Sequence, residues 1–178
     1  MLNAKDTAVV LIDVQAKLLP AIHGREALVE NLVRLLRGAK ALGVPVIATE
    51  QNPAGLGPTV PELAGLLDGP PIAKMSFGCC GEPAFVQCLA ALGRRNVLAA
   101  GIEAHVCVYQ TVCGLLEAGR DVHVVADGVS SRKAANRDVA IARMSAAGAK
   151  ITSVEMALFE MLQSADSPAF KEILRIVK

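Results

Sequence analysis

Tryptophan is absent from this chain, and one tyrosine and four phenylalanines are the only aromatic residues among 178. Surfaces that bind nucleic acid stack bases on aromatic rings along a basic stripe. Here 18 basic and 17 acidic residues are scattered for a formal net charge of +1, so no nucleic acid partner is expected. No apolar run reaches the roughly 18 residues of a membrane span. The first residues, "MLNAKDTAVVLIDV", carry the acidic Asp6 and no cleavable leader pattern. A cytoplasmic protein without membrane contact is the expectation.

Paired cysteines are also missing. Cys79, Cys80, Cys88, Cys107 and Cys113 are odd in number and make no Cys-x-x-Cys, which favours free thiols over a disulfide framework. His23, His105 and His123 are dispersed, so no zinc site of the usual kind is expected. Gly-x-Gly-x-x-Gly does not follow the first apolar segment, which disfavours a dinucleotide fold. No arginine closely follows Cys107 to hold a phosphate, as a tyrosine-phosphatase loop would require.

What the chain does have is 53% hydrophobic residues, mostly Ala, Val, Leu and Ile, and a length that suits one domain over 1–178. Apolar runs alternate with helical periodicity from end to end, the pattern of a βα-repeating fold. "TAVVLIDV" (7–14) reads as a central strand. A helix follows over 25–42, with Leu28, Leu32, Leu35, Leu36 and Ala39 at spacings of three and four, and Gly43 ends it. "VPVIATE", "PPIAKM", "RNVLAAG", "DVHVVADG" and "KITS" supply five more strands. Between the second and third, "QNPAGLGPTVPEL" is irregular until a short helix near 60–67. Further helices are read at "GEPAFVQCLAALG", after Cys107, at 134–147, and in "VEMALFEML" and "PAFKEILRIVK". The prediction is a three-layer α/β/α sandwich around a six-stranded, mostly parallel sheet. Ligands in such sheets sit beyond the carboxyl ends of the strands.

Those ends carry Asp13, Glu50 and Gln51, Lys74, Glu103 to Cys107, and Asp127. A lysine directly after "PPIA" needs a carboxylate partner if it is buried. Asp13, after "VVLI", poses the same problem with opposite sign. Cys107 falls where a helix begins, and the helix dipole and a nearby lysine would both favour its thiolate. Its helix turns an apolar stripe, Val108, Val112, Leu115 and Leu116, to one side, while Cys107 continues to Thr111, Gly114 and Ala118, small residues that let another element approach. An acid, a base and a thiol thus fit one nucleophilic site: Asp13 moves the proton, Lys74 orients Asp13, and Cys107 attacks a carbonyl carbon. Taken singly, each has a plainer reading. Asp13 is a turn residue, Lys74 reaches solvent, and Cys107 is core. The residues alone leave both readings open.

"LIDVQ", "AKMSF" and "GIEAHVCV" resemble, in order and spacing, the Asp, Lys and Cys motifs of the isochorismatase-like cysteine hydrolases, which include nicotinamidases and N-carbamoylsarcosine amidohydrolases. "TEQNPAGLGPTVPEL", "VHVVADGVSSR" and "FKEI" further resemble the isochorismatase domain-containing subgroup, so the likeness spans nearly the whole chain. It implies a catalytic triad of Asp13, Lys74 and Cys107, a cis peptide between Ile102 and Glu103, and an oxyanion hole from the N–H groups of Glu103 and Cys107. Two departures matter. True isochorismatases lack the cysteine, and "TEQNP" stands where nicotinamidases place Asp-x-His, so neither reaction transfers directly. The expected activity is cleavage of a C–N bond in a small amide or ureido compound through a thioester, without a cofactor or metal. The alternative is a non-catalytic homo-oligomeric scaffold or a redox-responsive thiol on the same fold.

Other residues carry expectations of their own. Glu50 and Gln51 border the irregular loop and read a polar substrate group, or are its solvated end. Phe77 walls the pocket or packs. His105, two residues before Cys107, lies on a different helix face and is a poor base; His123 is a half-buried strand residue and His23 a surface one. Cys79 and Cys80 lack a redox partner spacing. Asp127-Gly128 is a turn, Ser130 or Ser131 a helix cap, and Arg132 either binds an anionic substrate or ion-pairs internally. Homo-oligomers are expected from the resemblance, with the apolar terminal helix as part of the interface.

Overall fold

A computed structural model describes residues 1–178. Strand β1 (Thr7–Ile12) is buried along its whole length. Successive strand residues face opposite sides of a sheet, so Val9 and Leu11 enter one core while Ala8, Val10 and Ile12 enter another. Strands β2 (Val46–Gln51), β3 (Ile72–Lys74), β4 (Asn96–Gly101), β5 (Asp121–Val129) and β6 (Lys150–Thr152) complete the sheet. Its order is β3-β2-β1-β4-β5-β6 and every neighbouring pair is parallel.

Helices cover both faces, giving the three-layer α/β/α sandwich. Helix α1 (Arg25–Ala41) buries the predicted stripe of Leu28, Leu32, Leu35, Leu36 and Ala39. Gly43 follows its end at φ +66°, a left-handed conformation that suits glycine. Two one-turn helices, α2 (Pro53–Leu56) and α3 (Pro61–Ala64), lie in the β2–β3 connection. Helices α4 (Pro83–Ala91), α5 (Tyr109–Glu117) and α6 (Ala134–Ala146) contribute Phe85, Val112 and Met144 to one core. Helices α7 (Val154–Leu162) and α8 (Phe170–Val177) join α1 on the other, through Leu158 and Ile173.

The departures from the sequence reading are local. Strand β1 stops at Ile12 because Asp13 takes φ +53°, which ends the extended backbone. Helix α2 forms where irregular chain was expected, since Pro53 at its first position needs no N–H partner there. The short helix expected over 60–67 is only α3, and α8 starts at Phe170. Ile173 of α8 is fully buried, with Phe170, Ile176 and Val177 packed beside it, so its apolar side faces this chain's own core. The exposed apolar side chains are instead Met75, Phe77, Val86, Val139 and Met156, with Ile151 and Met1.

The strand order turns back on itself between β1 and β4, and the connections leaving these two strands diverge above the sheet. This is the switch point at which parallel sheets open a crevice.

Candidate active site

Three adjacent strands end together here. Ile12 of β1 pairs with Thr49 of β2, and Gln51 of β2 pairs with Lys74 of β3. The side chains of Asp13 and Lys74 therefore converge across β2. Lys74 Nζ donates to Asp13 Oδ2 at 2.7 Å, and both side chains are wholly inaccessible. Thr49 Oγ1 donates to the other oxygen, Oδ1, at 2.8 Å. Lys74 Nζ also approaches Gln51 Oε1 at 2.9 Å and the carbonyl oxygens of Ser76 and Phe77 at 3.1 and 2.8 Å. A buried ammonium is tolerable only with such partners. Asp13 reaches this position through its left-handed backbone, which aspartate accepts more readily than most residues.

Cys107 arrives from β4. The peptide joining Ile102 to Glu103 is cis. A short π-helical stretch, Ala104–Val108, then leads into α5. Wide turns of this kind are frequent at functional sites. Cys107 lies within it and is 6% exposed. Gly101 makes the approach of β4 to β1 possible: at φ +123°, a Cβ there would stand 2.1 Å from the carbonyl oxygen of Ile12. The N–H of Glu103 finds no acceptor in the protein, whereas that of Ala104 donates to Ser130 O at 2.8 Å. An unpaired N–H beside a thiol is a ready donor for an oxyanion.

The small face of the α5 region serves the approach anticipated for it. Thr111 Oγ1 donates to Cys107 O at 2.7 Å and accepts from Cys79 N at 2.9 Å, while Cys80 packs against Gly114. Cys79 is thus wedged between β2, through Thr49, and α5, and Cys80 lies against α5. Burial pushes the Cys79 thiol up, and Cys80 to about 11.

The protonation of Cys107 differs from the expectation of a favoured thiolate. Its pKa is pushed up to about 12, first by burial and then by the Asp13 carboxylate, which opposes a second negative charge and accepts the thiol's hydrogen. Lys74 acts in the opposite sense and does not prevail. Lys74 is neutralised by Asp13, so the thiol feels a pair and not a free cation. The resting group is a neutral thiol beside a ready proton acceptor.

Several singled-out residues take other roles. Gln51 spends both amide ends inside the protein, on Lys74 and, through Nε2, on Met75 O at 2.8 Å. These contacts position the lysine. Glu50 points to the opposite side of β2 and accepts from Thr59 N and Oγ1 at 2.6 and 2.8 Å, which anchors the β2–β3 connection. Phe77 is 54% exposed while its carbonyl holds Lys74. His105 bonds Ser131 Oγ at 2.9 Å and lies near Asn136 Nδ2 at 3.3 Å. His123 is buried in β5, which pushes its pKa down, and His23 is exposed. Ser130 and Ser131 do not cap α6, because they bond His23 O and His105 instead. Asp127 accepts from Val154 N at 2.9 Å and so serves the start of α7. Arg132 ion-pairs with Glu103 at 3.1 Å. All five cysteines are free, and no three His, Cys, Asp or Glu side chains converge as metal ligands. No helix is long and apolar enough to cross a membrane.

Sequence reasoning missed Thr49 and Gln15. Thr49 shares a strand face with Gln51, two residues on, and that spacing was the available signal. Gln15 is fully buried, donates through Nε2 to Gln51 O and Gly57 O at 3.0 and 2.7 Å, and accepts from Gln51 N at 2.8 Å, so it ties the β2–β3 connection to the site.

Known proteins share this fold. The isochorismatase domain family matches residues 7–156. "Isochorismatase domain-containing protein 2" of Danio rerio is 39% identical over 176 residues, covering 99% of this chain and 89% of that protein. Among solved structures, a MAR1 ribonuclease from Caenorhabditis elegans has a TM-score of 0.94 at 38% identity, covering 99% of this chain and 91% of that one. YcaC of Escherichia coli, described as an octameric hydrolase of unknown specificity, has a TM-score of 0.92 at 30% identity, covering 98% and 89%.

Proposed function

We propose that this chain, which belongs to the isochorismatase family, is a cysteine hydrolase that cleaves a C–N bond in a small amide or ureido compound. The observation that carries the proposal is the convergence, at the carboxyl end of the sheet, of a buried Asp13–Lys74 pair, the Cys107 thiol and the unpaired Glu103 N–H.

The steps follow from what each group holds at rest. Asp13 takes the thiol proton as Sγ of Cys107 bonds to the substrate carbonyl carbon, which offsets the high cost of the free thiolate. The carbonyl π electrons move to oxygen, and the N–H groups of Glu103 and Cys107 receive that charge. Collapse breaks the C–N bond, and Asp13 returns the proton to the departing nitrogen. A thioester remains. Water, deprotonated by Asp13, attacks it, releasing the acid and restoring the thiol. Lys74, held by Gln51 and two carbonyls, keeps the Asp13 carboxyl in place while the proton comes and goes.

The similarity to a ribonuclease favours RNA as a second reading. A buried triad and a net charge of +1 argue against it, since a polyanion needs an accessible basic track. The likeness to an octameric hydrolase supports assembly into a homo-oligomer, for which exposed Met75 and Phe77 beside the site are candidate contacts. A scaffold or redox role would leave Asp13 and Lys74 without a task.

The test is ammonia release from a panel of small primary amides and ureido compounds, with RNA included, by wild type and by Asp13→Asn, Lys74→Ala and Cys107→Ala. The expected result is turnover of at least one amide that all three variants abolish. RNA cleavage, or thiol-dependent responses to oxidant that persist in Asp13→Asn without any hydrolysis, would overturn the reading.

A further inference from the structure

A cleft of about 280 Å³ opens at the switch point of the sheet, lined by Lys17, Leu18, Ala21, Ile22, Glu103 and Arg132. Its walls come from the segments that follow β1, β4 and β5, and each follows a strand whose end forms or borders the site. Glu103 belongs to both places: its N–H is the proposed oxyanion donor, and its side chain forms a wall of the cleft. A substrate whose carbonyl meets Cys107 would therefore extend its remote end into this space.

The lining has a definite chemistry. Leu18, Ala21 and Ile22 supply an apolar side. Two cations and one carboxylate supply the rest. Glu103 is already satisfied, because Oε2 accepts from Arg132 N at 3.0 Å and from Arg132 Nε at 3.1 Å, and its side chain is only 13% exposed. Arg132 uses Nε in that contact, leaves both terminal nitrogens without a protein partner, and is 64% exposed. Lys17 Nζ touches only Gly55 O, at 2.9 Å. The cleft thus keeps a net positive charge and free donors of the kind that pair with a carboxylate.

We infer that this cleft selects substrates bearing an anionic group, such as a carboxylate, separated by a short apolar spacer from the scissile amide, and that Arg132 and Lys17 are the selecting residues. The inference rests on the proposed hydrolase reading and narrows its substrate class.

The test uses chloroacetamides of matched length whose N-substituent ends in a carboxylate, in a neutral methylamide or in a trimethylammonium group. The rate of Cys107 alkylation is followed by peptide mass spectrometry in wild type, Arg132→Gln and Lys17→Gln. The carboxylate probe should react about tenfold faster than the neutral one, the scale of a charged hydrogen bond. The ammonium probe should be slowest, the preference should shrink in each variant, and added salt should weaken it. Arg132→Gln also frees the Glu103 carboxylate, which by itself disfavours the carboxylate probe, so Lys17→Gln, outside that pair, decides. Equal rates for all probes in wild type, with Cys107 still labelled, overturn the inference and leave the hydrolase reading standing. Failure of any probe to label Cys107, with the other cysteines labelled, overturns both.

Discussion

Replacing Lys74 with methionine tests the buried pair most severely. The substitution keeps the apolar stem and removes the charge, leaving Asp13 in a wholly inaccessible position with only the neutral donors Thr49 Oγ1 and the Cys107 thiol. Breaking a buried ion pair from one side costs about 3–5 kcal/mol. The reciprocal change, Asp13→Asn, is milder. Lys74 retains Gln51 Oε1 and the carbonyl oxygens of Ser76 and Phe77, and the new amide turns its oxygen to Lys74 and its N–H to Thr49 Oγ1, which accepts, so about 2 kcal/mol is expected. Combined, the two changes should cost less than their sum, because no unpaired carboxylate remains. Urea unfolding followed by far-UV circular dichroism at pH 7 and fixed protein concentration measures all three, tryptophan fluorescence being ruled out by composition. A Lys74→Met variant within about 1 kcal/mol of wild type, or an Asp13→Asn variant that is the less stable of the two, would refute the reasoning.

Asp13→Asn should also acidify Cys107 by about 1–3 units from its value near 12, since a charge that raises the pKa is removed while the opposing Lys74 stays; the pH dependence of iodoacetamide labelling at that peptide reads the shift, and an unchanged profile counts against the assigned contact. Thr49→Val removes one hydrogen bond to Asp13 and should cost about 1 kcal/mol while lowering kcat more than it alters KM. Gly101→Ala should yield no soluble folded protein, because the added Cβ meets the backbone of Ile12; a folded variant by circular dichroism would contradict the close approach of β4 to β1. Burial lowers the pKa of His123 in the folded chain, so the unfolded chain binds the proton first as pH falls below about 6.5. Stability from this group is complete above that pH and declines beneath it, and His123→Leu should flatten the decline in acid-titrated melting curves.

Much of the fold and site is legible in sequence because burial leaves a direct trace there. A strand covered on both faces is apolar throughout, and β1 and β4 announce themselves that way. Against such runs, Asp13 and Lys74 stand out as charges that need each other. Lateral register leaves no such trace. Whether Thr49 or Glu50 turns toward Asp13 depends on how β2 pairs with β1, and a slip of one residue exchanges the faces. Sequence adjacency accordingly groups Glu50 with Gln51, whereas the sheet groups Thr49 with Gln51. The state of Cys107 escapes the sequence for a different reason: helix position and a nearby lysine are visible there, but burial and neutralisation of that lysine by Asp13 are not. The π-helical entry to α5 likewise depends on the turn after β4, not on any helix-forming pattern.

The central claim is that Cys107 carries the acyl group. Rapid acid quench during turnover of an amide found in the panel, followed by intact and peptide mass spectrometry, tests it directly. The account predicts an acyl thioester on the Cys107 peptide that forms before the acid product accumulates and is absent from Cys107→Ala and Asp13→Asn. Undiminished hydrolysis by Cys107→Ala, or an acyl group carried by another residue, would contradict it.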